Sequence, residues 1–182
     1  RAVLHDASGA IYRGDDDSEQ WSLWYVPFAG DVPIRLAADV PAGESYPNLL
    51  APAIADCLIT PDDQIVVYEQ PTTDGYELYC VSVTGGPAIR LDHDPGAGSY
   101  IRSFELTPDG EYVVYLVGDE PALSLTDVSH IHCIYAVSVH GGTPWMLNDP
   151  LAEGECIDGY TLAPDGTVVY WAGSNADGYD LY

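Results

Sequence analysis

The chain has 182 residues, of which 29 are Asp or Glu and only 5 are Lys or Arg, so the formal net charge is −24 at pH 7. All five cations are Arg, and this composition excludes nucleic-acid binding and attachment to an acidic membrane surface, because both need a basic face. No apolar run approaches the roughly 20 residues that cross a bilayer. A hydrophobic content of 47% is nevertheless sufficient for a folded core.

Two short modules recur in order along the chain. The first is a turn followed by a β-branched and aromatic run, in a degenerate copy at 6–12 and then at 60–68, 107–115 and 163–170. The second module begins with Leu or Ile followed by an aromatic residue and ends on Leu, and two of its copies contain Gly-Gly. Its copies lie at 23–36, 78–91 and 134–147, and a further copy is begun at 177–182. Ordered self-similarity of this kind is the mark of a repeat architecture.

Each repeat reads as four short strands. They are the apolar stretch before the turn (54–59, 101–106 and 157–162), the run typified by 65–68, the run typified by 78–83, and a short piece typified by 89–91. Gly85-Gly86 is a dipeptide suited to a tight hairpin. Since Pro and Gly punctuate the chain and no 3.6-residue apolar period is present, the sequence predicts an all-β fold.

The order of these modules resembles the TolB-type (WD-like) β-propeller repeat, which also occurs in tricorn-like and prolyl-oligopeptidase-like proteases. The resemblance implies four-stranded antiparallel blades, with repeats at 1–50, 51–97, 98–153 and an incomplete one at 154–182. About three and a half blades are present, whereas closed rings have about four to eight. The count predicts a fragment of a longer propeller; the alternative is self-association of two chains through open blade edges.

The resemblance also implies which connections share a face of the propeller. Lettering the strands a to d from the axis outward, the d–a and b–c connections lie on one face, and they are acidic here. The resulting candidate binding residues are Asp15, Asp16, Asp17, Asp39, Glu44, Asp92, Asp94, Asp149 and Glu153. Converging carboxylates suit Ca²⁺, with Asp92, Asp94 and Asp149 as metal candidates, or a basic protein partner. The alternative is a solvated acidic surface of an exported or salt-adapted protein.

Other chemistry has less support in the sequence. His130 and His132 would share one face of a strand and, with Asp127, offer a partial Zn²⁺ site, but no second ligand cluster follows. The four Cys residues have no C-x-x-C spacing, so two disulfides and free thiols both stay open.

The sequence predicts no catalytic residues, because it contains no G-x-S-x-G elbow, P-loop or dinucleotide fingerprint. We therefore expect a non-catalytic binding or scaffolding propeller, periplasmic or extracellular at the cell surface, with a protein partner. The alternative is the propeller portion of a larger serine-peptidase-like hydrolase whose catalytic domain lies elsewhere. A third class is a glycan-processing propeller that stacks sugars on Trp145 and Trp171.

Overall fold

A computed structural model of the chain describes residues 2–15, 21–37, 57–72, 75–93, 99–119, 133–152, 154–174 and 178–182. The described residues form fifteen strands in four sheets and contain no helix. Sheet 1 consists of β1 (Ala2–Val3), β2 (Gly9–Asp15), β3 (Trp21–Pro27) and β4 (Ile34–Arg35). Sheet 2 consists of β5 (Cys57–Ile59), β6 (Ile65–Thr72), β7 (Gly75–Ser82) and β8 (Ile89–Arg90). Sheet 3 consists of β9 (Ser99–Leu106), β10 (Tyr112–Asp119), β11 (Cys133–Ser138) and β12 (Trp145–Met146). Sheet 4 consists of β13 (Cys156–Leu162), β14 (Val168–Ser174) and β15 (Gly178–Leu181).

Every sheet is an antiparallel meander in which strands pair in chain order. Sheets 1 to 3 contain strands a, b, c and d, and sheet 4 contains a, b and c. Because successive strands reverse direction, the a–b and c–d turns lie at one end of a sheet, and the b–c connection and the exit from d lie at the other. The all-β prediction and its four-stranded antiparallel unit are confirmed.

Three hydrophobic cores join consecutive sheets, and the two-residue period of the strands explains them. Val66 and Tyr68 of β6 lie in the core with sheet 1, whereas Val67 between them lies in the core with sheet 3. Successive side chains of a strand point to opposite faces, so each sheet has two apolar faces. Full burial of each large aliphatic side chain contributes about 1.5–3 kcal/mol.

We call the face that meets the next sheet in the chain the leading face, and the face that meets the preceding sheet the trailing face. The leading face of sheet 1 contributes Ile11, Leu23, Tyr25 and Leu36 to the first core. The trailing face of sheet 2 contributes Val66, Tyr68, Val81 and Val83 to the same core. Sheets 2 and 3 meet in the same way, and so do sheets 3 and 4. Among the described residues, no hydrophobic core joins sheet 4 to sheet 1.

The a–b turns place their third residue in the left-handed region of backbone space. Gly110 and Gly166 occupy this position with φ of 76° and 86°, as a Pro-Asp-Gly turn allows. Ala7 and Asp63 occupy the equivalent positions with φ of 56° and 59°. A side chain in this conformation costs roughly 1–2 kcal/mol, so both turns carry backbone strain.

The Asp63 side chain compensates for that strain by accepting hydrogen bonds from the preceding sheet. Its Oδ1 accepts from the backbone N–H of His5 at 2.9 Å and lies 2.8 Å from His5 Nδ1, while its Oδ2 accepts from the N–H of Asp6 at 2.8 Å. The carboxylate is buried, which alone would raise its pKa, but the hydrogen bonds from His5 and Asp6 hold the pKa of Asp63 below its usual value. The turns of sheets 1 and 2 are therefore tied together.

The Gly-Gly prediction is wrong in one respect. Gly85 and Gly86 do adopt positive φ, of 84° and 125°. They lie, however, within a longer connection, 83–88, between β7 and β8 rather than forming a two-residue hairpin. The turn bond runs from Gly85 N–H to the Ser82 carbonyl at 2.9 Å, and the chain continues past Gly86 before it pairs again at Ile89.

Glycine substitutions at the two strained turn positions should have opposite effects. Ala7→Gly should raise the free energy of unfolding by about 0.5–1 kcal/mol, because it removes left-handed strain from an exposed residue. Asp63→Gly should lower it by about 1–3 kcal/mol, because the links to His5 and Asp6 are lost as well. Denaturant titration of both variants measures this, and effects of the same sign would contradict the role given to Asp63.

Acid should weaken the Asp63 link. Because the pKa of Asp63 is lowered in the folded chain, its contribution is complete above the unfolded value of about 3.9 and is lost as pH falls below it. We expect the free energy of unfolding to fall less steeply between about pH 5 and pH 3 in Asp63→Asn than in the unsubstituted chain. Urea denaturation across that range is the measurement, and parallel pH profiles would show that Asp63 carries no such linkage.

Candidate binding face

The candidate binding face is the end of the sheets that carries the b–c and d–a connections, and the structure describes three of its nine predicted residues. Asp15 ends β2, Asp92 follows β8 and Asp149 follows β12. Asp149 is exposed, whereas Asp92 is buried. The others lie outside the described residues: Asp16, Asp17, Asp39, Glu44, Asp94 and Glu153.

Asp92 supports its own sheet. Its Oδ1 accepts a hydrogen bond from the backbone N–H of Leu78 at 3.0 Å, while the Leu78 carbonyl accepts from the Leu91 N–H at 2.7 Å. The guanidinium of Arg90 also bonds the carboxylate, from Nε at 3.1 Å and from Nη2 at 2.9 Å. Such a paired, charge-assisted contact is strong and directional, so the Asp92 carboxylate is already bound within the fold.

Asn148 occupies the same place in sheet 3. Its Oδ1 accepts from the backbone N–H of Ile134 at 2.8 Å, just as Asp92 accepts from Leu78. An Asp or Asn directly after the Leu that follows strand d thus satisfies a buried N–H of strand c. The repeated Leu-Asp and Leu-Asn pairs at 91–92 and 147–148 are the sequence signal that points to this role, and the predicted binding set did not use it.

Two of the five arginines stay within the outer strands. Arg90 contacts Glu77 as well as Asp92, with Nη1 and Oε1 2.6 Å apart. The Glu77 carboxylate also accepts from the Tyr79 hydroxyl at 2.6 Å, and burial together with this acceptor raises the pKa of Tyr79 to about 12. Arg35, at the equivalent position of sheet 1, lies 5.6 Å from the ring centre of Trp24. Arg90 and Arg35 therefore pair with their own sheets.

Acidic residues at the opposite end form turns. Asp62 accepts from the Thr60 hydroxyl at 2.6 Å and from the Gln64 N–H at 3.1 Å, and Asp109 makes the same bonds to Thr107 and Glu111. The Thr60 hydroxyl, and then the Gln64 N–H, lower the pKa of Asp62. The recurring Asp of the Pro-Asp turns thus has a structural function.

A histidine of the candidate binding face packs against the next sheet. His93, in the d–a connection after β8, lies with Nδ1 3.2 Å from the Tyr115 hydroxyl and with its ring 4.4 Å from that of Tyr135. Tyr115 and Tyr135 stack at 5.6 Å, and burial raises the pKa of Tyr115. The hydroxyl of Tyr68, the equivalent tyrosine of sheet 2, is buried and has no hydrogen-bond partner among the described residues.

The other candidate residues are dispersed. Among the described residues no three His, Cys, Asp or Glu side chains come close enough to hold a metal ion, and the predicted zinc ligands His130, His132 and Asp127 lie outside those residues. The four cysteines all lie among the described residues, and none of them forms a disulfide there. Trp145 lies in sheet 3 and forms a T-shaped contact with Tyr112, with the ring centres 5.5 Å apart, and Trp171 lies in sheet 4, where its Nε1 donates to Asp158 at 3.1 Å. No helix in the described parts of the chain has the length and apolarity to span a membrane.

Substitutions at Asp92 should separate its two contacts. Asp92→Ala should lower the free energy of unfolding by about 2–3 kcal/mol, because it leaves the buried Leu78 N–H without its acceptor and removes one of the two carboxylate partners of Arg90. Asp92→Asn should cost only about 1 kcal/mol, because an amide oxygen serves the same N–H in sheet 3. Asp149→Ala, at an exposed position nearby, is the control and should stay within about 0.5 kcal/mol. Equal effects at Asp92 and Asp149, measured by denaturant titration, would contradict this role.

No protein-family model and no curated protein sequence matches the chain. Solved structures do resemble it. TolB from Acinetobacter baumannii is 14% identical with a TM-score of 0.51, over 99% of this chain and 39% of the TolB chain. The tricorn protease is 11% identical with a TM-score of 0.61, over 91% of this chain and 14% of that one. The β-propeller domain of the Trilobed protease from Pyrococcus furiosus is 9% identical with a TM-score of 0.57, over 99% of this chain and 52% of that one.

The chain therefore spans at most about half of each of these proteins. At such identities the likeness is one of fold, and it agrees with the sheet topology and the packing of consecutive sheets. The resemblance inferred from the repeats is confirmed at that level: this chain forms antiparallel β-propeller blades similar to those of TolB and of the tricorn-like protease propellers.

Proposed function

We propose that the chain is a non-catalytic binding or scaffolding propeller, exported to the periplasm or cell exterior, whose acidic face binds a protein partner or a cation. The observation that carries the proposal is the meander order of the sheets. In sheets 1 to 3 it brings the b–c connection and the exit from strand d to one end of the sheet. The nine predicted acidic residues belong to or adjoin such connections, and we propose that their carboxylates share one face.

The recurring Asp residues of the a–b turns already have hydrogen-bond partners, which favours the other end of the sheets for a binding role. At the a–b turn end, the carboxylates of Asp62, Asp63 and Asp109 are hydrogen-bonded within the turns or between sheets. At the other end Asp149 is exposed, while Asp92 is bound by Arg90. The proposal therefore depends on Asp149 and the other predicted residues apart from Asp92, because the Asp92 carboxylate is already bound within the fold.

Electrostatics favours a cationic ligand at this face. The net charge is −24, and two of the five arginines that oppose it pair within the sheets. Grouped carboxylates attract cations over several ångströms and speed the capture of basic partners. Ca²⁺ prefers six to eight oxygen ligands, which loops from several blades supply more readily than one loop.

The export part of the proposal rests on similarity of fold. TolB is one of the structures that the chain resembles, and the acidic, Lys-free composition suits a soluble exported protein. One fold hosts many functions, so this similarity supports the location by analogy. Fractionation of the native host followed by immunodetection tests it, and recovery of the chain only from the cytoplasm would exclude export.

A second candidate function follows from the protease neighbours. The tricorn protease and the propeller domain of the Trilobed protease share this fold, so the chain is alternatively the propeller portion of a larger serine-peptidase-like hydrolase. The intact mass of the native polypeptide and its full sequence discriminate between the two. A G-x-S-x-G segment in an adjoining α/β domain would establish the hydrolase, and its absence from the full polypeptide would exclude it.

The cation test compares two double variants that remove the same charge from opposite ends of the sheets. Asp94→Asn with Asp149→Asn should weaken Ca²⁺ binding at least about tenfold, since each carboxylate ligand contributes strongly to such a site. In the unsubstituted chain, saturating Ca²⁺ at about 100 times the dissociation constant should stabilise the fold by about 2.7 kcal/mol. Calorimetric titration and thermal melting with Ca²⁺ alone are the measurements.

The matched control is Asp31→Asn with Glu111→Gln, two exposed acidic residues at the turn end. This control should retain the affinity of the unsubstituted chain. Equal weakening in both double variants would indicate only a general charge effect and would contradict a site on the candidate binding face. A Lys- and Arg-rich peptide titrated in the same way tests the protein-partner form of the proposal.

A further inference from the structure

The second residue of each d strand lies beside the aromatic residue of strand c, but its chemistry changes along the chain. The cross-strand pairs are Trp24 with Arg35 in sheet 1, Tyr79 with Arg90 in sheet 2, and Tyr135 with Met146 in sheet 3. Directly opposite residues of an antiparallel pair project from the same face, so each of these long side chains stands next to its aromatic ring. Sheet 3 therefore places a thioether where sheets 1 and 2 place a cation.

A second position of strand c, two residues before the aromatic one, contacts that d-strand residue in sheets 1 and 2. In sheet 1 the Ser22 Oγ accepts from Arg35 Nε at 2.9 Å. In sheet 2 the Glu77 Oε1 lies 2.6 Å from Arg90 Nη1. Residues two apart in a strand share a face, so the contact follows from the pairing of strands c and d. Cys133 holds this position in sheet 3, and the same pairing makes it the neighbour of the d-strand thioether.

Sheet 3 replaces the charged groups of sheet 2 with uncharged ones at equivalent positions. Asn148 stands for Asp92, and both accept from a backbone N–H of strand c. The Tyr79 hydroxyl donates to a carboxylate, whereas the Tyr135 hydroxyl is hydrogen-bonded to the Cys133 thiol. Burial raises the pKa of Tyr135, and the neighbouring thiol raises it further. One cation and two carboxylates in sheet 2 thus become a pair of sulfur groups beside a tyrosine in sheet 3.

Solvent reaches this pair of sulfur groups. Met146 is 47% exposed, and Cys133 is half-buried. The side chain of Arg90, at the position equivalent to Met146, is 37% exposed, so access is a property of the outer edge of the sheets. An ion from solvent therefore has a path to both sulfur atoms.

The arginines of the other sheets show that this position accommodates a positive charge beside an aromatic ring. Arg35 lies 5.6 Å from the ring centre of Trp24, a distance at which the ring attracts a cation. In sheet 3 the thioether brings no charge of its own, while the chain as a whole carries −24 and draws cations to its surface. The missing charge and the two sulfur atoms together point to a soft metal cation as the ligand.

We propose that Cys133 Sγ and Met146 Sδ bind one Cu⁺ ion beside the ring of Tyr135. Thiolate and thioether sulfurs are soft ligands, which suit Cu⁺ better than carboxylate oxygens do. The cysteine binds as its thiolate, so its proton passes to solvent when the metal–sulfur bond forms. Two sulfur ligands suffice for Cu⁺, so the site does not need three His, Cys, Asp or Glu side chains, which the described residues do not bring together. The proposal does not rest on the Ca²⁺ site, because Ca²⁺ takes oxygen ligands.

The methyl group of Met146 gives a direct test, because the chain contains a single methionine. Ag⁺ in chloride-free buffer is the probe, since it shares the softness of Cu⁺ and is not oxidised by air. With the methionine methyl labelled with ¹³C, we expect about one equivalent of Ag⁺ to shift its only NMR signal. Cys133→Ser should lose that shift. Zn²⁺ alone, which prefers four tetrahedral ligands, should not produce it.

Affinities measured by calorimetric titration separate the two ligands. The titrations use Ag⁺, and Cu⁺ kept reduced by ascorbate without oxygen. Met146→Leu keeps the apolar volume and should weaken the first binding event at least about tenfold. Met146→Arg gives sheet 3 the residue of sheets 1 and 2, and its own cation should abolish that event. Cys156→Ser is the matched control, because it removes another half-buried thiol, which lies 3.8 Å from the Tyr179 hydroxyl, and it should leave the first event unchanged.

Four results would overturn the proposal. They are a methyl signal that Ag⁺ does not move, a shift of the same size with Zn²⁺, an unchanged first binding event in Met146→Leu, and equal losses in Cys133→Ser and Cys156→Ser. Cys133→Ala is the second variant if Cys133→Ser melts earlier than the unsubstituted chain. Met146→Leu should leave the Ca²⁺ titration unaffected, so failure here is distinguishable from failure of the proposed function.

Discussion

Burial of both faces of each sheet is the constraint on which the rest of the structure depends. A strand whose neighbouring side chains point to opposite sides exposes an apolar surface on each side, and only stacked sheets remove both from water. The alternation of Val66, Val67 and Tyr68 between two cores shows this directly. A single repeat cannot fold stably on its own under this constraint, which is why the architecture comes as a series.

The constraint also determines where chemistry is available. Since the strand faces are occupied by sheet packing, the polar groups free for other purposes lie in the connections at the ends of the sheets. At one end the carboxylates of Asp62, Asp63 and Asp109 are used by turns, which need their hydrogen-bond acceptors. The exposed carboxylate of Asp149 lies at the other end, beside supports such as Asp92 and Asn148.

Much of this fold could be predicted from the sequence, because the same order of strands and turns recurs in each repeat. The strands typified by 65–68 and 78–83 exist; the first continues to Thr72, and the second begins earlier, at Gly75, and ends at Ser82. The role of Asp92 could not be predicted from its charge, because an acceptor for a backbone N–H in strand c depends on the path of the d strand. The Asp63 link was also hidden, since it joins residues 58 positions apart.

The Asp63 link gives the junction of sheets 1 and 2 a specific polar contact in addition to its hydrophobic core. The cores themselves repeat a few residue types, with Leu on the leading faces of sheets 1 and 2 and Val and Tyr on the trailing faces of sheets 2 and 3. Gly110 and Gly166 stand where Asp63 stands and have no side chain to reach a neighbour. The polar contact between sheets 1 and 2 therefore depends on the residue at the left-handed turn position, and a gene shuffled so that another sheet followed sheet 1 would lose it unless that sheet also carried Asp there.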